Sequence, residues 1–122
     1  MSFSRIDLTR DELPTMEAGD LIICRHLMFH LPARDNIEII RKLSTSSASF
    51  LILTTYLRAD ENSKDFVLAM GHHVNLFRSP YCIVDPAKLI LDNSEDLYLG
   101  MWELDAHRKT GILRDKNSDL CM

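Results

Sequence analysis

Asp20-Leu21-Ile22-Ile23-Cys24-Arg25 is the stretch from which the fold is read. Four apolar residues stand in a row between an acid and a base, without alternation, and Gly19 precedes them. A strand covered on both faces of a parallel sheet has this composition, whereas a strand with one wet face alternates. Leu31-Pro32 interrupts the chain downstream, since proline cannot continue a ladder and suits a first helical turn. From Ala33 to Leu43 the spacing predicts a helix. Ile37, Ile40 and Leu43 share one side, Ile39 flanks them, and Arg34, Asp35, Glu38, Arg41 and Lys42 turn mostly outward. The polar run Ser44-Thr45-Ser46-Ser47 ends it, and Ser49 to Tyr56, rich in large apolar and β-favouring residues, reads as the next strand. Strand, amphipathic helix and strand make one βαβ unit with a right-handed crossover.

Arg58 to Asp65 has no core-facing pattern and reads as a surface loop, and Gly71 to Pro86 reads as irregular. Lys88 to Asp92 and Leu97 to Leu104 read as two further strands. Asn93-Ser94-Glu95-Asp96 between them has turn composition, which predicts an antiparallel pair. Trp102 and Tyr98 are expected to pack within that hairpin. The first 105 residues thus form the folded portion, and 106–122 are expected to be a polar, frayed tail.

At 122 residues the chain has room for one domain, and a hydrophobic fraction of 46% with 26% charged residues is an ordinary globular composition. Its net charge of −4, with Lys and Arg scattered singly, argues against nucleic acid as a partner. No apolar run approaches the roughly 20 residues that span a bilayer, and Met1 to Asp7 does not read as a signal peptide. Cys24, Cys82 and Cys121 form no CxxC pair, so free thiols and a cytoplasmic location are expected. His26 and His30, four apart, would share one face of a helix, the spacing of a metal pair. No HExxH glutamate and no third ligand accompany them, and no metal site is expected.

The residues carry a resemblance. Asp7-Leu8-Thr9, Leu13-Pro14 and the run Asp20 to Pro32 (D-L-I-I-C-R, then F-H-L) look like the segment from the end of the third strand through the fourth in class I S-adenosylmethionine-dependent methyltransferases. Phe50 to Tyr56, with its Thr54-Thr55, resembles the fifth strand. Asn75-Leu76, Ser79-Pro80-Tyr81 and Leu99-Gly100-Met101-Trp102 are similar to the loop and terminal hairpin of one branch. The resemblance covers nearly everything from Phe3 to Leu104. It implies an α/β, partial Rossmann-like fold comprising strands four to seven, a parallel pair plus an antiparallel terminal hairpin, taken from a sheet of order 3-2-1-4-5-7-6. The cofactor, S-adenosyl-L-methionine, would lie beyond the C-terminal ends of strands one, two and four.

Asp7, by the same resemblance, is the acid that accepts a hydrogen bond from the adenine amino group, and Leu8 lies near the ring edge. Arg25 faces the cofactor. His26 could act as general base toward an acceptor hydroxyl, or alternatively make a structural hydrogen bond. The family's glycine-rich first turn and the acid that binds the ribose are absent from these residues: Gly19, Gly71, Gly100 and Gly111 stand alone, and 19 residues precede Asp20. The expectation is therefore a methyltransferase-like half domain that does not bind its cofactor normally by itself, or a non-catalytic remnant serving as a protein-binding or oligomerisation module. Without the family's first strand, residues 20–25 become a sheet edge, and a long apolar edge invites pairing with a second chain. Covering about four such side chains is worth several kcal/mol at roughly 25 cal/mol per Å², a serious fraction of a domain's net 5–15 kcal/mol or so.

Overall fold

β-branched and aliphatic runs separated by one amphipathic helix give, in the computed structural model, a four-stranded mixed sheet. The residues described are 7–25, 27–58, 62, 74–92, 96–108 and 110–114. Strand β1 spans Leu21–Cys24, helix α1 Ala33–Ser44, β2 Phe50–Tyr56, β3 Lys88–Leu91 and β4 Leu97–Glu103, with short 3-10 turns at Leu27–His30 and Leu104–His107. Gly19 turns the chain into β1 with φ +95°, a conformation that disfavours side chains carrying a Cβ.

The sheet order is β1-β2-β4-β3. β1 runs parallel to β2 with Leu21 opposite Phe50, and β4 is antiparallel to both β2 and β3. β1, β2 and β3 therefore all point the same way, with β4 reversed between the last two. β1 and β3 are the edges.

Alternation sorts the strands into two unlike faces. On one, Cys24, Leu51, Leu53 and Trp102 are buried and share a core with Ile39, Ile40 and Leu43 of α1, together with Val74, Leu76, Tyr81 and Ile83. The other face carries Leu21 and Ile23, Phe50 and Ile52, Met101 and Leu99, and Ile90, adjacent by the strand register. None of these is fully buried: Leu21 is 50% exposed, Ile23 61% and Ile90 57%. A soluble sheet rarely presents a continuous apolar face without a covering layer.

Two expectations are corrected. The buried stripe of α1 is centred on Asn36, Ile39, Ile40 and Leu43, with Ile37 only partly buried. Asn36 holds the centre with its side-chain N–H groups turned to the Met28 and Leu31 carbonyls and the Tyr81 hydroxyl, Nδ2 lying 2.9, 3.2 and 3.0 Å from them, while its Oδ1 is buried without a hydrogen-bond partner among the described residues. The packed region also extends past Asp105. Ile112 is buried, Leu113 bridges Ile83, and the Ile112 carbonyl accepts the Val84 amide at 2.8 Å, so 110–114 belong to the fold and not to a frayed tail. Trp102 is fully buried, its indole N–H donating to the Val84 carbonyl at 2.8 Å, whereas Tyr98 is only partly covered.

Candidate functional site

Residues 8–16 lie beside β1 and the C-terminal end of α1. Lys42 of α1 fastens that segment by donating to the Leu8 and Asp11 carbonyls at 2.9 and 2.8 Å. Between the segment and β1 opens a cavity of about 360 Å³, lined by Leu8, Leu13, Pro14 and Met16 on one side and by Ile22, Cys24, Arg25 and Leu27 on the other. Its walls are almost wholly apolar, as suits a flat, weakly polar group.

Two of the residues implied by the resemblance, Leu8 and Arg25, meet at this cavity; Asp7 does not line it. The Asp7 carboxylate instead caps its own turn. It accepts from the Thr9 hydroxyl at 2.6 Å and the Thr9 amide at 2.9 Å, with Arg10 4.0 Å away. The Thr9 hydroxyl above all, then its amide and the nearby cations, hold the carboxyl below its usual range.

Arg25 reaches across the sheet. Its Nε and a terminal nitrogen each lie 3.0 Å from an oxygen of Asp92, a two-point fork. Asp92 follows β3, so the pair joins the two edge strands, and strand alternation puts both residues on the open face. The Asp92 side chain is only 10% exposed. Hydrogen bonding to Asp92, then its charge, raises the Arg25 pKa further. No reading of the sequence anticipates this partnership, because 67 positions separate the two residues.

His26 lies outside the described residues, as do His72, His73 and Cys121. His30 is exposed on its 3-10 turn, and no cluster of metal-ligating side chains occurs among the described residues. Cys24, missed as a site residue because it reads as plain core, lines the cavity. Burial pushes its thiol up to about 11, which leaves a protonated, unreactive group at neutral pH. Cys82 is disulfide-bonded and Cys24 is a free thiol, so the expectation of three free thiols is corrected. Spacing along the chain says nothing about which sulfurs meet in space, and the cytoplasmic expectation loses the support it drew from free thiols. Among the described residues no helix is long and apolar enough to cross a membrane.

A scan against family models finds no match, and neither the curated proteins nor the solved structures give one.

Proposed function

We propose that the chain is the second half of a class I S-adenosylmethionine-dependent methyltransferase-like domain, and that these residues alone do not hold the cofactor. The observation that carries the reading is the strand order. A parallel pair followed by a reversed strand inserted before the last one, β1-β2-β4-β3, corresponds to strands 4-5-7-6 of that family's sheet. The open face supports it: the apolar side of β1 and its unpaired edge are what a preceding strand and its helices would cover.

Cofactor fit is poor within these residues. The apolar cavity beside Leu8 suits an adenine ring, but Asp7 is engaged by Thr9, Arg25 by Asp92, and no clustered glycines let a backbone approach a charged ligand closely. Methyl transfer would need a glycine-rich strand and turn supplied by another segment or another chain. A second reading, a non-catalytic module that associates through residues 20–25, is favoured by the exposure of Leu21 and Ile23.

Calorimetric titration with millimolar S-adenosylmethionine separates these readings when run on the 122 residues and on the longest in-frame product of the transcript. The proposal expects no heat from the first and saturable heat from the second. Silence from both favours the non-catalytic module, and heat from the 122 residues alone overturns the proposal.

A further inference from the structure

A second cleft shares no lining residue with the cavity beside Leu8. It opens between α1 and residues 110–114, has a volume of about 630 Å³, and is walled by Ile37, Pro80 and Leu113 over the buried Tyr81 and Ile112, with Arg41 and Arg114 among its polar groups. This size lies in the range of small-molecule sites, roughly 300–1,000 Å³. The far wall is firmly placed. Gly111, at φ +72°, turns the chain back with its amide donating to the His107 carbonyl at 2.7 Å, and the Arg114 amide donates to the Cys82 carbonyl at 3.1 Å.

Charge gives the cleft its character. The protein has 18 acids against 14 Lys and Arg, yet the lining contains two arginines and no acid. Arg41 pairs with Glu38 on the outer surface of α1, where both side chains are more than half exposed. Arg114 makes no ion pair among the described residues. The Ser44 and Thr45 hydroxyls donate back to the Arg41 carbonyl and Glu38 engages one terminal nitrogen of Arg41, which leaves the Arg114 guanidinium as the main donor for a ligand, with the remaining N–H groups of Arg41 beside it. A planar guanidinium matches a carboxylate or phosphate with two parallel hydrogen bonds, and the apolar wall beside it rewards a hydrocarbon body.

We propose that this cleft binds an amphipathic anion: a carboxylate or phosphate group held at Arg114, with Arg41 beside it, carried on an alkyl or aromatic body that packs on Ile37, Pro80 and Leu113. The site is independent of the methyltransferase reading, and either can fail alone.

Backbone amide NMR of the full chain tests it, with octanoate, octyl phosphate, octanol and inorganic phosphate as probes. Saturable shifts confined to residues 37–45 and 110–114 are expected, with at least one octyl anion binding about tenfold more tightly than octanol or inorganic phosphate, the scale of one charge-assisted hydrogen bond. The tighter of the two octyl anions identifies the head group. Arg114→Gln should weaken it about tenfold and Arg114→Lys less, since lysine keeps the charge without the fork. If Arg114→Gln fails to fold, Arg41→Gln carries the same expectation. Octanol binding as tightly as both anions, shifts on β1 and β3 instead of the cleft, or unchanged affinity in folded Arg114→Gln would each overturn the proposal.

Discussion

Gly100 lies two residues before Trp102 on β4, where a Cβ would stand 2.6 Å from Cη2 of that indole and 2.8 Å from Cζ3. The ring is fully buried and tied to the Val84 carbonyl, so it has little room to yield. Gly100→Ala is expected to cost about 1–3 kcal/mol by overpacking, read as a lower urea midpoint with unchanged slope. Cys24 gives a pH test. A thiol whose folded pKa is about 11 instead of 9.0 leaves stability intact below pH 9 and lowers it as pH rises from 9 through 11, because only the unfolded chain releases the proton there. Denaturation midpoints should fall more steeply over that window in the native protein than in Cys24→Ala, where the buried Tyr81 hydroxyl, also pushed up by burial, still titrates above pH 10. Neither residue announces itself in the sequence. Trp102 is legible as core, but Gly100 is special only because an indole folds over it, and Cys24 is ordinary until Leu8, Met16 and Leu43 close around its strand.

α1 and β1 were both legible as elements, and both departed from expectation in which residues they bury. Helical spacing selects a face only among apolar residues, so it passed over Asn36, which the Met28 and Leu31 carbonyls and Tyr81 accommodate. Asn36→Ala should cost about 1–3 kcal/mol, the scale of leaving buried partners unsatisfied, measured by chemical denaturation. For β1 the run Leu21 to Cys24 correctly predicts a parallel strand, yet one face and one edge lie open. Ile23→Lys places a charge on that face and at that edge, a device sheets use against edge pairing. Since Ile23 is 61% exposed, stability should change by no more than about 0.5 kcal/mol. Sedimentation velocity should show concentration-dependent association for the unaltered chain and its loss in Ile23→Lys. A concentration-independent, well-folded monomer before substitution would end the idea of pairing through residues 20–25.

Among the described residues one face of the sheet packs on α1 and the other leaves Leu21, Ile23 and Ile90 exposed, with the Arg25–Asp92 fork on that second side. Two of the residues that the resemblance offers to a charged or polar ligand, Asp7 and Arg25, are engaged within the chain. Alone, these 122 residues should give no measurable S-adenosylmethionine heat. The positions of α1 and the four strands were legible to within a residue or so, because hydrophobic period, proline and turn composition act over a few neighbours. So were the four solitary glycines, which rule out a clustered glycine turn in these residues whatever the fold. Three-dimensional packing settled the rest: that Arg25 meets Asp92, that Ile112 completes the core, that Cys82 is oxidised and that two arginines flank one apolar cleft. Those outcomes depend on chain segments tens of residues apart arriving at the same place, and local patterns carry no information about such meetings.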